Sequence, residues 1–184
     1  MIITGPSGVG KTVVEERLCS EEGCKTSVSV TTRKPRPGEI DGVHYHFISR
    51  QMFEIMVARD EFLEWAEVHG EYYGTQLGPV LDALAENSVI ILTIDVKGHK
   101  SVRAYKDDKI TSRIVSVFLL PPSMEELRHR LLGRGDVDSA TAHRRLERAK
   151  EEQKHANEFD YRVVACNKQY TFEQLCRIIK ENVH

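Results

Sequence analysis

The stretch Gly5-Pro6-Ser7-Gly8-Val9-Gly10-Lys11-Thr12 decides how this chain is read. It fits the pattern G-x-x-x-x-G-K-[ST] and stands between a short apolar run, Met1-Ile2-Ile3-Thr4, and a stretch of helical character. Glycines let such a loop curl until successive N–H groups point inward at phosphate oxygens, and the helix N-terminus adds positive potential. Lys11 then reaches the β- and γ-phosphates of a nucleotide. Thr12 offers its hydroxyl to Mg2+, a cation that prefers hard oxygen ligands. Gly5, Ser7, Gly8, Val9, Gly10, Lys11 and Thr12 are therefore the expected nucleotide-binding residues. A plain turn joining strand to helix has no need of Lys and Thr at those offsets.

Working outward, residues 89–95 and 113–120 are apolar runs rich in β-branched side chains, as central parallel strands covered on both faces require. Residues 1–4 and 161–166 read as two more strands. Phe172, Leu175, Cys176, Ile179 and Val183 fall on one helical face. After Pro121-Pro122, Ser123 and Glu126 form a capping box that opens a helix carrying Leu127, Leu131 and Leu132. Strands alternating with helices predict an α/β layered fold with a central, mainly parallel sheet. Residues 27–68 break the rhythm with short alternating runs and read as a small mixed or antiparallel insert.

The chain has 184 residues, 40% hydrophobic and 29% charged, which suits a single ordered domain. A net charge of −2 gives no global pull toward nucleic acid or an anionic membrane, so the basic run Arg33-Lys34-Pro35-Arg36 must act locally. Cys19, Cys24, Cys166 and Cys176 are scattered without metal-ligand spacing and read as reduced thiols. No apolar run has the length of a signal-peptide core or membrane span, and a cytoplasmic protein is expected.

Several further stretches narrow the choice among phosphate-loop proteins. They are Ser29 with Thr31-Thr32-Arg33-Lys34-Pro35-Arg36-Pro37-Gly38-Glu39, then Gly42 through Tyr45 and Phe47, and Glu61-Phe62-Leu63-Glu64-Trp65-Ala66. Tyr72-Tyr73-Gly74-Thr75, Ile94-Asp95-Val96-Lys97-Gly98, Pro121-Pro122-Ser123 and Arg130 with Gly133-Arg134-Gly135 complete the set. With these motifs the chain resembles the guanylate kinase family over essentially its whole length. The resemblance implies a P-loop NTPase three-layer core (1–27, 81–120 and 156–184), a GMP-binding insert (28–80) and a helical lid (121–155). It also implies transfer of the γ-phosphoryl group of ATP to GMP or dGMP, with Mg2+ as cofactor, by a monomer or weak homodimer.

The family's site carries over residue by residue. Arg33, Arg36, Tyr45 and Tyr73 would hold the GMP phosphate, with Glu39 ordering the cluster. Ser29, Glu64, Thr75 and Asp95 would read guanosine, because a carboxylate at position 64 can accept from both N1–H and the 2-amino group of guanine. Lys11, Arg130, Arg134 and Arg145 would supply positive charge to the transferring phosphates, and Asn167 would contact adenine. Arg148 and Lys150 read instead as solvated members of i,i+4 ion pairs, and His143 and His155 as surface residues. The family usually carries an acidic residue where this chain has Thr93. The alternative function is that of a catalytically inactive guanylate kinase-like module that binds protein partners. Retention of Gly10, Lys11 and Thr12 argues against it.

Overall fold

The computed structural model describes residues 1–68, 70–133 and 138–182. The chain opens with β1 (Ile2–Thr4), α1 (Lys11–Glu21), β2 (Lys25–Thr26), β3 (Val30–Thr31), β4 (His46–Phe47), α2 (Arg50–Ala58), β5 (Phe62–Val68) and β6 (Glu71–Gln76). It continues with α3 (Leu77–Ala85), β7 (Ile90–Thr93), α4 (Val96–Arg103), α5 (Asp108–Thr111), β8 (Ser116–Leu120) and α6 (Met124–Leu132). Last come α7 (Ser139–Gln153), a 3-10 turn (Ala156–Glu158), β9 (Tyr161–Val164) and α8 (Lys168–Asn182).

The main sheet is entirely parallel in the order β2-β7-β1-β8-β9. Its central strand is two-sided, as the continuous apolar run demands. Ile3 points toward Leu18 of α1 and Leu175 of α8, while Ile2 points toward Val80 and Ala83 of α3 and Val102 of α4. Successive strand residues face opposite sides, so two adjacent isoleucines feed two separate cores. Full burial of each such side chain contributes about 1.5–3 kcal/mol. The helix–sheet–helix layering matches the expectation.

The insert is the second sheet, ordered β4-β3-β6-β5 and mixed in direction: β3 runs parallel to β4 and antiparallel to β6, and β6 runs antiparallel to β5. Its core is aromatic. Phe53 of α2 is fully buried and stacks on Phe62 with ring centroids 4.5 Å apart. Gly74 makes room for that pair, since a Cβ there would lie 2.7 Å from the Phe62 ring. Strand β6, which no alternating apolar pattern announces, is the one that binds β3 to β5.

Helices α6 and α7 close over one end of the sheet around Leu127, Leu131 and Ala149. Ser123 caps α6 by accepting from Glu126 N at 3.0 Å. The Glu126 carboxylate turns instead to Arg130, at 2.8 Å, leaving half of the expected capping box. Among the described residues no helix is long and apolar enough to cross a membrane.

Candidate functional site

The phosphate loop leaves β1 at its carboxyl end and enters α1 at Lys11. Two of its glycines are required by space and backbone together. Gly5 has φ +152° and lies so close to β8 that a Cβ would sit 2.5 Å from the Leu119 carbonyl oxygen. Gly8 has φ +87°, and a Cβ there would press on Leu131 of α6 at 3.0 Å. L-residues with side chains resist both conformations. Lys11 folds back along the loop, its Nζ donating to Gly5 O at 2.5 Å and Pro6 O at 3.1 Å. Thr12, the second residue of α1, is exposed.

Arg130 lies beside this loop. Its guanidinium donates to Ala165 O at 3.1 Å and Cys166 O at 3.2 Å, and its Nε to Glu126. Asn167 follows directly and caps α8, its Oδ1 accepting from Tyr170 N at 2.8 Å. Arg145 projects from α7 with no hydrogen bond or ion pair among the described residues. Arg134 lies outside the described residues.

A cavity of about 210 Å³ opens between the two sheets, lined by Ser29, Tyr45, Glu64, Tyr73 and Asp95 among others. Glu64 and Thr75 are cross-strand neighbours on β5 and β6, and the Thr75 hydroxyl donates to Glu64 Oε1 at 2.6 Å. Burial pushes the Glu64 carboxyl above its ordinary pKa, and the charge of Asp95 adds to this, while the Thr75 hydroxyl works against both. Asp95 caps α4, its Oδ1 accepting from Gly98 N at 2.9 Å. A Cβ on Gly98 would meet Glu64 Oε2 at 3.0 Å, so the missing side chain clears room for that carboxylate.

At the outer end of the cavity stands a charged clamp. Arg33 donates to both oxygens of Glu39, at 2.9 and 2.8 Å, and Glu39 also accepts from Arg36 N at 2.7 Å. The side chains of Arg33 and Glu39 are only 15% and 17% exposed. The Arg33 hydrogen bonds, first among its causes, pull Glu39 down to about 2. The pKa of Arg33 rises in turn, mainly through Glu39, with a smaller contribution from Tyr73. The guanidinium of Arg33 lies 5.4 Å from the Tyr45 ring centroid, and the rings of Tyr45 and Tyr73 are 6.0 Å apart. Arg36 completes the loop with an exposed side chain.

The structure thus puts Ser29, Tyr45, Glu64, Tyr73 and Asp95 around one cavity, with the Arg33–Glu39 pair beside Tyr45 and Tyr73 and Thr75 behind Glu64. The phosphate loop adjoins the same floor: Thr4, just before Gly5, donates to Ile94 O at 2.8 Å. The carboxyl ends of parallel strands are where α/β sheets hold ligands.

Two residues take places that their sequence positions did not announce. Arg148 is not simply solvated: it reaches Asp95 Oδ2 at 3.7 Å as well as Glu152 at 3.0 Å. Glu15 receives a hydrogen bond from Thr93 at 2.7 Å. The only available signal was helical spacing, which puts Glu15 on the Lys11 and Thr12 face of α1.

Comparison with known proteins agrees with this geometry. A family model described as Guanylate kinase matches residues 1–182. A guanylate kinase of Methylobacillus flagellatus is 47% identical over 180 residues, covering 97% of this chain and 87% of that protein. A guanylate kinase of Dechloromonas aromatica is 45% identical over 164 residues, covering 89% and 79%. The crystal structure of guanylate kinase from Anaplasma phagocytophilum superimposes with a TM-score of 0.77 at 30% identity, covering 99% of this chain and 84% of that one. With its phosphate loop, paired sheets and charged clamp arranged in this way, the chain belongs to the guanylate kinase family.

Proposed function

We propose that this chain transfers the γ-phosphoryl group of ATP to GMP, giving ADP and GDP, as an ATP:GMP phosphotransferase of purine nucleotide metabolism. The observation that carries the reading is a cavity lined by Ser29, Glu64 and Asp95 and by Tyr45 and Tyr73, with the Arg33–Glu39 clamp packed beside those two tyrosines. A nucleoside monophosphate has that polarity, with a hydrogen-bonding base at one end and a dianion at the other. The parts that act are the core (1–27, 81–120, 156–184), the insert (28–80) and the lid (121–155).

Glu64, held by Thr75, accepts from guanine N1–H and its 2-amino group, and Ser29 and Asp95 complete recognition of the nucleoside. Adenine lacks that donor pair and would leave the half-buried carboxylate with Thr75 alone, which is a strong form of discrimination. Arg33, Arg36, Tyr45 and Tyr73 hold the phosphate, with Arg33 oriented by Glu39. The backbone of residues 5–12 cradles the ATP phosphates, Lys11 swings from the Gly5 and Pro6 carbonyls onto them, and Asn167 stands on the adenine side. Arg130, Arg134 and Arg145 bring charge from the lid. Phosphoryl transfer depends chiefly on positioning and charge stabilisation, so such cations supply much of the catalysis.

The donor set suits Mg2+. Thr12 offers a hard hydroxyl oxygen, and among the described residues no cluster of three His, Cys, Asp or Glu side chains stands ready as an all-protein cage. Mg2+ commonly binds through few protein ligands and the substrate's own phosphates, where it offsets their negative charge. We place the reaction in the cytoplasm, where the four free cysteines would stay reduced.

The test is a coupled ADP-release assay with ATP, Mg2+ and, in turn, GMP, dGMP, AMP, CMP and UMP. Turnover with GMP and dGMP alone is expected. Lack of any GMP-dependent turnover would leave only the inactive binding module, and preference for AMP would overturn the role given to Glu64.

A further inference from the structure

Glu15 has no place in the reading so far, yet its carboxylate is held more deliberately than that of a surface residue. Thr93 Oγ1, at the carboxyl end of β7, donates to Oε2 at 2.7 Å, and Thr26 Oγ1, at the end of β2, donates to Oε1. Both carboxylate oxygens are thus fixed by neutral hydroxyls, and among the described residues no ion pair neutralises the group. Each oxygen keeps lone-pair capacity for a further donor.

Its position gives that capacity a direction. Glu15 stands one turn beyond Lys11 and Thr12 on α1, and helical side chains lean back over the preceding turn. The carboxylate therefore lies toward the turn that begins the helix, at the carboxyl ends of β2 and β7. The other carboxylates of this end of the sheet are engaged elsewhere. Asp95 caps α4 and faces Arg148, Glu64 is bound to Thr75, and Glu152 is bound to Arg148.

We propose that Glu15 is a positioning residue for Mg2+ bound with the nucleotide at Thr12, its carboxylate accepting hydrogen bonds from the water around that cation. The proposal rests on the nucleotide reading given above. Mg2+ dehydrates reluctantly and keeps several waters, so a carboxylate one layer out from the cation is a suitable partner for it. In phosphate-loop proteins an acidic residue on a neighbouring strand commonly helps to hold the metal. In this chain the strand contributes Thr93, and the negative charge comes to the same place from the helix.

The test compares wild type with Glu15→Gln and Thr93→Val in calorimetric titrations of a non-hydrolysable imido analogue of ATP, with Mg2+ and with EDTA. Glu15→Gln keeps the shape and can still bond the two threonine hydroxyls. It is expected to bind the metal-free analogue within about twofold of wild type while losing about tenfold of the affinity gained from Mg2+. Thr93→Val keeps the carboxylate and removes one tether, and a smaller loss in the same sense, about threefold, is expected. An undiminished Mg2+ gain in both variants would overturn the proposal. So would an equal loss with and without metal accompanied by a lower melting temperature, which would make Glu15 a staple between helix and strands. A wild type showing no Mg2+ gain at all would remove the metal assignment of Thr12 together with this inference. A wild type with the gain and variants that retain it would remove this inference alone.

Discussion

Replacing Glu39 by Gln tests whether the clamp is as tightly organised as its geometry implies. Glu39 accepts three hydrogen bonds, two from Arg33 and one from Arg36 N, and its pKa is drawn from 4.5 to about 2. A fall of that size corresponds to about 3 kcal/mol of preference for the ionised, folded form. The clamp lies in a surface loop where solvent screens it, so about 1–2 kcal/mol is the realistic loss on substitution. For a chain of this length that means a melting temperature lower by about 3–6 °C. The pH dependence follows from the sign of the shift. Because the folded pKa is the lower one, the stabilisation is complete above about pH 5 and fades as pH falls from 4.5 through about 2. Urea denaturation at pH 7, 5 and 3 should show wild type leading Glu39→Gln by the same margin at the first two values. By pH 3 the margin should have lost about half its size. Freed from its tether, Arg33 should also raise the KM for GMP about tenfold with little change in kcat. A margin that stays constant down to pH 3, or a variant as stable as wild type at pH 7, would refute the account of the clamp.

Other substitutions test the remaining parts. Lys11→Ala should abolish turnover while leaving GMP affinity by calorimetry within about threefold, since Lys11 serves the other nucleotide. Glu64→Gln should raise the KM for GMP about 100-fold by mismatching one donor of guanine, and should narrow the preference over AMP in the same assay. His99 is buried against Phe159, with ring centroids 3.9 Å apart and neither ring nitrogen hydrogen-bonded. Burial lowers its pKa, with Arg103 adding to the effect, so the unfolded chain takes up the proton first and stability falls as pH drops through about 6.5. His99→Leu should lessen the fall of urea midpoints between pH 8 and pH 5.5, the buried Met1 amino group accounting for the remainder, and an unchanged slope would show that His99 does not contribute.

The parts of this fold that announce themselves in sequence are those dictated by local steric need. Gly5 and Gly8 take positive φ values that side-chain-bearing residues resist, and the runs containing Ile91 and Val117 read as buried strands because of their density of β-branched residues. What stays hidden depends on partners distant in sequence. Glu71 to Gln76 has no apolar alternation, and it becomes a strand because Val30 and Trp65 both pair with Gly74. Strand β2 is two residues long and exists through its register with Ile90 and Ile91. The same holds in the site. Arg33 and Glu39 lie six residues apart in a loop whose motif shows them together, whereas the approach of Arg148 to Asp95 spans 53 positions and had no sequence signature. Charge density on α7 suggested solvated pairs for Arg148 and Lys150, and Lys150 with Glu147 is one.

The packing of Leu127 and Leu131 under Gly8, with Arg130 tied to the carbonyls of Ala165 and Cys166, bears on how such a protein can be recombined. Helix α6 is a wall of the phosphate loop, and its leucines fit against the glycine they cover. A chimera that takes its whole lid from a relative would separate Gly8 from the leucines shaped to it and strand the Arg130 guanidinium. A junction placed after Leu132, which exchanges α7 and leaves α6 with its native loop, keeps those contacts within one parent.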